Sequence, residues 1–319
     1  MAAGKKVLVT TTNYSKLCKD AKAQMESNGW TIIENDFGRP MTLDEILERV
    51  GDVDAVMAGA DYWTEQVFQA APKLKIIARF GVGVDNIDIE AARRRGIKVV
   101  NAVGRNANAV AELTIGLILS AMRNIPALHQ SVRQGGWDRF VGDELMGRTV
   151  GLLGLGNIGQ RVARKLAGFD VRILAYDKFP NRAAAEKLNV TLVPSEQLLA
   201  DSDVVCLLLP SLKETYHFMN RETFARMKDG AYFVNTARGA LVDEAALGDA
   251  LTSGKLTAAA IDVYETEPVS ADNPLFRIKN IITTPHTASE TYETFRNVGA
   301  HTAQAILDEF EGINPPKGL

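Results

Sequence analysis

Arg238, Glu267 and His286 are the residues whose types and settings could carry chemistry together. Arg238 lies in VNTARGALVDE. Asp262 and Glu267 lie in AAAIDVYETEP, and His286 lies in IITTPHTASET. Each stretch opens as a short apolar run that reads as a strand. The candidate follows at the strand's carboxyl end, where ligands bind in open α/β sheets. A guanidinium is a planar fork suited to a carboxylate. An imidazole titrates near neutral pH and can take or return the proton of an alcohol. A carboxylate beside it orients the ring and stabilises its protonated form. Removing a hydride from a secondary alcohol needs that set: an anchor for the substrate's carboxylate, a base, and an acidic partner for the base. Taken singly, each residue has a plainer reading as a surface ion-pair partner, a solvated loop carboxylate or a turn histidine. His129, His217 and His301 fall in helical or turn settings without such neighbours and read as structural.

A hydride needs an acceptor, and the stretch LLGLGNIGQ, residues 152–160, offers a place for one. Gly154, Gly156 and Gly159 have the G-x-G-x-x-G spacing. The pattern is weak alone, because glycines gather in turns of every kind. Here TVGLLG before it reads as a buried strand. Ile158, Val162, Leu166 and Phe169 after it form a helical stripe, and VRILAYD reads as a second strand ending in Asp177. That is the strand–turn–helix–strand–acid context of a dinucleotide fingerprint. Gly154 suits the tight turn, Gly156 lets a pyrophosphate approach the backbone, and Gly159 lets helix and strand pack closely. The helix N-terminus offers N–H groups and partial positive charge to phosphates. Asp177 can accept from both ribose hydroxyls and would repel a 2′-phosphate, which favours NAD over NADP; Lys178 beside it works slightly the other way.

The elements that must position these residues alternate strand and helix throughout, the pattern of parallel sheets with helices on both faces. KVLVTT, TIIE, DAVMAG, KIIARF and IKVVN read as the strands of a first α/β unit. A long helical pattern follows, residues 108–123, stopping before Pro126. A second α/β unit starts at Thr149 and continues through VTLV, DVVCLLL, AYFVN, TAAAIDV and IITT. The tail is helical from about Ser289 to Glu311 and closes with GINPPKGL. No flexible linker, low-complexity segment or short repeat occurs. The expected fold is α/β: two Rossmann-like or flavodoxin-like domains with parallel sheets and an active-site cleft between them.

At 319 residues, two cored domains are affordable. The composition is 46% apolar and 24% charged, and the net charge of −3 gives no electrostatic case for nucleic acid or membrane binding. The RRR run at 93–95 reads as a solvated helix end. The two cysteines, Cys18 and Cys206, exclude a disulfide scaffold, and Cys206 within VVCLLL reads as a buried hydrophobe. The first residues, MAAGKKVLVTTT, run straight into a strand with no secretory pattern, and no run reaches membrane-spanning length. A cytoplasmic enzyme is expected. No metal-ligand spacing and no G-x-S-x-G elbow occur, so the metal expectation is none and a serine hydrolase is excluded.

The sequence resembles the D-isomer-specific 2-hydroxyacid dehydrogenases, most closely their phosphoglycerate dehydrogenase-like branch. The stretches that carry this are LKIIARFGVGVDNIDIEAARRRGIKVVNAVGRNANAVAELTIGLIL, GRTVGLLGLGNIGQRVA, FVNTARGALVDEAAL, AIDVYETEP and TPHTASETYE, in the family's order over nearly the whole chain. The resemblance implies an NAD-dependent oxidoreductase passing a hydride between NAD(H) and C2 of a small D-2-hydroxy acid or 2-keto acid. The catalytic trio would be Arg238, Glu267 and His286. It implies substrate contacts from the backbone N–H groups of Val82 and Gly83, from Asn106 and from Arg238. Asn157 and Ile158 would meet the pyrophosphate. Leu209, Pro210 and Thr215 would line the adenosine side, and Thr236, Ala237 and Asp262 would hold the nicotinamide end. It also implies that residues 1–101 with 288–319 form the substrate domain and that 102–287 form the inserted NAD-binding Rossmann domain. A homodimer is implied, joined around the long helix and RNIPALHQSVRQGGWDRF, with Trp137 reaching the neighbour's site.

Two departures matter. Many phosphoglycerate dehydrogenases bind the substrate phosphate with an Arg-Ser-x-Thr stretch; here MAGADYWTEQV puts Ala58 and Ala60 at those places, with acidic Asp61. Arg79, Arg105 and Arg139 are the cations that would have to compensate. Tyr62 and Trp63 read as packing or as a reshaped pocket. The chain also ends without the regulatory domains of longer family members, so serine feedback is not expected. Open substrates are glycerate or hydroxypyruvate, lactate-like acids, 3-phosphoglycerate, and a phosphonate or sulfonate acid. The alternative from another class is an NAD-sensing, corepressor-like binding protein.

Overall fold

The structure, a computed structural model, describes residues 4–312 and 317–319. The first three residues of the N-terminal stretch, and 313–316 of GINPPKGL, lie outside the described residues. Close contacts divide the chain into two compact units, Met1–Asn106 with Glu290–Leu319, and Ala107–Ser289. The family resemblance implies boundaries at 101/102 and 287/288; contacts place them at 106/107 and 289/290.

In the first unit, β1 (Lys6–Val9), β2 (Thr31–Glu34), β3 (Ala55–Ala58), β4 (Ile76–Arg79) and β5 (Lys98–Asn101) form a parallel sheet in the order β2-β1-β3-β4-β5. This is the flavodoxin-like order. In the second unit, β6 (Thr149–Leu153), β7 (Arg172–Tyr176), β8 (Val190–Leu192), β9 (Val204–Leu207), β10 (Ala231–Asn235), β11 (Leu256–Ile261) and β12 (Ile281–Thr283) form the order β12-β11-β10-β9-β6-β7-β8. The strand order reverses at β6, which pairs with β9 on one side (Leu152 opposite Cys206) and β7 on the other (Leu152 opposite Ala175). That reversal is the switch point of a dinucleotide fold. Strands buried on both faces read as continuous apolar runs rather than alternating ones. β3, β9 and β10 are buried at every residue.

Each sheet carries a core on both faces. In the first unit one core gathers Leu8, Ile46, Val56, Trp63, Phe68 and Ile77. The other joins Val7, Tyr14, Met25 and Ile76 to Phe295, Ile306 and Leu307 of the last helix, Tyr292–Glu311. That helix starts three residues later than the periodicity suggests, at an N-cap Thr291 whose side chain accepts from Thr294 N–H. The long helix, Ala107–Arg123, lies wholly in the second unit and packs on the helix Asn157–Leu166 and on β10 to β12. It breaks at Asn124, whose left-handed φ of 53° ends it; Pro126 sits in the first turn of the next helix, Ile125–Arg133, where its missing N–H costs nothing. The arginine run closes the helix Ile89–Arg94, exposed and paired with Glu90 and Glu65. Cys206 is fully buried, and burial pushes its thiol up to about 12. No described helix is long and apolar enough to cross a membrane.

Candidate active site

The second unit brings two members of the predicted trio into contact. His286 Nδ1 lies 2.6 Å from Glu267 Oε2, and Glu267 Oε1 accepts the Tyr264 N–H at 3.0 Å. Burial alone would raise the Glu267 carboxyl. The imidazole, that N–H and the nearby Arg238 charge outweigh it and hold the group below the usual carboxylate range. An ionised carboxylate only accepts, so the imidazole proton sits on Nδ1. Nε2 is then the atom left to exchange a proton. The ring is 42% exposed, so a small molecule can reach it. His286 also has a left-handed φ of 49°, a strained setting for a non-glycine residue. Its N–H is pinned to Asp262 O at 2.7 Å.

Asp262 itself is fully buried. Its carboxylate accepts from Thr284 Oγ1 (2.5 Å), Thr287 N–H (2.9 Å) and Ala288 N–H (2.9 Å). The residue expected at the nicotinamide end thus braces the loop that carries His286, a task the sequence alone did not reveal. Thr236, also buried, spends its hydroxyl on Thr114 Oγ1 at 2.8 Å. Thr114 already donates to Val110 O, so Thr236 is the donor. Ala237 N–H donates to Asn235 Oδ1, and Arg238, half-buried, donates to Ala237 O.

The glycine loop follows β6 as the fingerprint requires. Gly154 has φ 113°, and a Cβ there would meet Leu208 O at 2.7 Å. A Cβ on Gly159 would lie 2.2 Å from Gly154 O. At Gly156, by contrast, a Cβ would meet nothing within 4 Å: the space over the loop is open. Gly156 caps the helix Asn157–Leu166 without any side-chain acceptor. The first N–H groups of that helix, at Asn157 and Ile158, have no intrahelical partner. An open cradle lined by N–H groups fits a pyrophosphate. Asp177, after β7, accepts from Leu155 N–H and Phe179 N–H, each at 2.9 Å, which ties it to the same loop. Leu209 is buried and Pro210 exposed. The Thr215 hydroxyl closes its own turn on Pro210 O at 2.7 Å.

In the first unit, the loop after β4 holds Val82 and Gly83. Their carbonyls are occupied, Val82 O by Asn101 Nδ2 at 2.6 Å and Gly83 O by Arg79 Nε at 2.9 Å. Among the described residues, neither N–H has an acceptor. Arg79 also donates from Nη1 to Phe80 O (2.7 Å) and Ala58 O (3.3 Å), so three backbone carbonyls hold this side chain. Asp61 is buried and accepts the Met41 N–H at 2.5 Å, and burial raises its carboxyl. The aromatic pair divides: Trp63 is fully buried, and Tyr62 stands exposed. Arg105 and Arg139 are exposed.

Residues 115–288 match the family model described as D-isomer specific 2-hydroxyacid dehydrogenase, NAD binding domain. The glyoxylate reductase of Korarchaeum cryptofilum is 38% identical over 307 residues, covering 92% of each chain. The chain belongs to the D-isomer-specific 2-hydroxyacid dehydrogenases. The D-3-phosphoglycerate dehydrogenase of Archaeoglobus fulgidus is 44% identical over 300 residues, 93% of this chain. The chain spans 56% of that relative, about half the length of the phosphoglycerate dehydrogenases it matches. The TT0316 protein from Thermus thermophilus has a similar structure, with TM-score 0.89 and 34% identity over 98% of this chain and 99% of that one. NAD is the cofactor of this dehydrogenase family, and the open cradle at Gly156 fits it.

One sequence reading needs correction. His217 is not without an acidic neighbour: its Nε2 lies 2.7 Å from Glu265 Oε1. The two are far apart in sequence, and no local spacing signals the pairing. His301, in the last helix, meets only a backbone carbonyl, Asn101 O, at 3.2 Å. No group of three or more histidine, cysteine, aspartate or glutamate side chains among the described residues could hold a metal ion.

Proposed function

We propose that this dehydrogenase passes a hydride between NAD(H) and C2 of a small, unphosphorylated D-2-hydroxy acid or 2-keto acid. The observation that carries the reading is the 2.6 Å Glu267–His286 pair, with Nε2 left for proton exchange. In oxidation, His286 Nε2 takes the substrate's hydroxyl proton while C2 loses its hydride. NAD held at the glycine loop would supply the hydride acceptor for oxidation, and NADH the donor for reduction. Glu267 carries the charge that makes the imidazolium stable, and Arg238 grips the substrate carboxylate as a bidentate fork. In the first unit, the proposed substrate contacts are the N–H groups of Val82 and Gly83, with Asn106. Asp177 selects NAD over NADP by accepting ribose hydroxyls, Asn157 and Ile158 take the pyrophosphate, and Leu209, Pro210 and Thr215 flank the adenosine. Thr236, Ala237 and Asp262 stand at the nicotinamide end.

The β3 loop supports the unphosphorylated reading. Ala58 and Ala60 carry no charge, and Arg79 donates from Nε and Nη1 to backbone carbonyls. The test is loss of NADH absorbance with hydroxypyruvate, glyoxylate, pyruvate, bulkier 2-keto acids and 3-phosphohydroxypyruvate. Turnover of an unphosphorylated acid is expected. Preference for the phosphorylated acid would overturn the substrate assignment. NADH binding with silence across the panel would favour a sensing protein.

The working form is proposed to be a cytoplasmic homodimer. Ile125, Val132, Trp137, Phe140, Val141 and Met146 are all exposed, and Val141 is 98% so. Clustered apolar exposure of this kind marks an interaction surface. Trp137→Asp with Val141→Asp should convert a dimer to a monomer in light scattering; an unchanged mass would move the interface elsewhere.

A further inference from the structure

The mechanism above leaves the second histidine–glutamate pair unused. His217 follows a single turn, Lys213–Thr215, and has a left-handed φ of 48°. Its ring stacks on Tyr216, with centroids 4.0 Å apart and planes at 14°. Its N–H donates to Ala240 O at 2.9 Å, and the Met219 N–H donates to Leu241 O at 2.9 Å. The segment 217–219 is thereby laced to the backbone just beyond Arg238. Its side chain reaches elsewhere, to Glu265. Nε2 is buried and lies 2.7 Å from Glu265 Oε1, a close contact between ring and carboxylate. Glu265 is held from the other side: its N–H donates to Glu244 Oε1 at 2.8 Å, and Asn273 Nδ2 donates to Glu244 Oε2 at 2.8 Å.

What these contacts fix is the peptide between Tyr264 and Glu265. Gly239, the neighbour of Arg238, lies against it so closely that a Cβ would stand 1.8 Å from the Tyr264 carbonyl carbon. The N–H of Tyr264 is the group that holds Glu267 Oε1. The Tyr264 hydroxyl donates to Thr284 O, two residues before His286, at 3.1 Å. One residue, Tyr264, therefore touches the supports of Arg238, Glu267 and His286 together: its carbonyl lies against Gly239, its N–H holds Glu267 and its hydroxyl meets Thr284 O.

We propose that His217 and Glu265 are positioning residues for the hydride transfer, seating the Tyr264–Glu265 peptide so that Arg238 and Glu267 stay in register. The inference rests on the dehydrogenase reading above. It predicts that His217→Leu and Glu265→Ala each lower kcat about tenfold, because small misplacements of catalytic groups are costly. NADH affinity should stay within about twofold, since neither residue belongs to the glycine loop. The double variant should lose no more than either single one. His217→Gln, whose amide can turn to meet Glu265, should recover most of the rate. A merely structural pair would move the melting temperature without this kinetic pattern, and the Gln and Ala variants keep the test open if the Leu variant fails to fold. The experiment measures kcat, KM for the preferred 2-keto acid and NADH affinity for all five proteins, the unaltered chain included. Single variants with kcat within about twofold of the unaltered protein, or losses that multiply in the double variant, would overturn the inference alone. An unaltered protein silent on every acid would overturn the dehydrogenase reading and this inference with it.

Discussion

The second unit holds two histidine–glutamate pairs of nearly equal length, 2.6 Å at His286–Glu267 and 2.7 Å at His217–Glu265, and they are built for different work. In the first, the carboxylate meets Nδ1 and leaves Nε2 on an exposed ring. In the second, the carboxylate meets Nε2, which is buried, and one face of the ring stacks on Tyr216. Both histidines have left-handed φ angles, so backbone strain does not separate them. The difference lies in which nitrogen is committed: Nδ1 at His286, which leaves Nε2, and Nε2 at His217, which leaves Nδ1. A histidine beside a carboxylate acts as a base through its other nitrogen, so the two pairs would present opposite ring nitrogens to a substrate.

The comparison can be broken most sharply at His286. His286→Asn should lower kcat by roughly a hundredfold or more while NADH still binds, a far larger loss than any change at His217. Equal losses at the two histidines in steady-state assays would abolish the distinction. Arg238→Ala should act next most strongly, raising KM for the acid by roughly tenfold to a hundredfold as a charge-assisted bidentate contact is lost. An unchanged KM would remove Arg238 as the anchor. Gly239→Ala strikes the backbone of Tyr264, the residue whose N–H holds Glu267 and whose carbonyl leads into Glu265. Its methyl must displace Tyr264 backbone, so a loss of about 1–3 kcal/mol or more is expected in denaturant unfolding, together with reduced turnover. A variant of full stability would show that the loop moves freely there. The smallest effect is on acid stability. Glu267 is held below its ordinary value of 4.5, so its contribution is complete above that pH. It is lost as pH falls through the lower folded value. Glu267→Gln should flatten this part of the melting curve measured against pH; an unaltered profile would place the acid-sensitive group elsewhere.

Much of this architecture could be read from the residues. All twelve strands among the described residues lie where short apolar runs predict them, because strands of a doubly covered parallel sheet carry no polar alternation to obscure the run. The glycine loop was legible because three constraints, a turn, an open approach and a tight helix contact, each demand glycine at a fixed spacing. Side-chain direction was not legible. Asp61 sits in a stretch where it could have faced a substrate, and the structure turns it inward to Met41 N–H. Arg79 looked like a spare cation, yet three carbonyls occupy it. Asp262 lay in a recognisable motif, but its grip on Thr284, Thr287 and Ala288 depends on how β11 and β12 end side by side. The His217–Glu265 pair joins two loops that nothing in their spacing connects. These are contacts across the fold, and a linear pattern records only the neighbours along it.

The helix Tyr292–Glu311 completes a core begun by Val7, Tyr14 and Met25, and this sets an order for synthesis. The ribosome finishes the first sheet early, then makes the entire second unit before the covering helix emerges. At about 5–20 residues per second, one face of the nascent sheet waits on the order of ten to forty seconds without its lid. Residues 107–289 hold every strand of their own sheet and can fold meanwhile. The earlier-born unit is therefore the last to be sealed, and its bare apolar face is where aggregation or chaperone capture would begin.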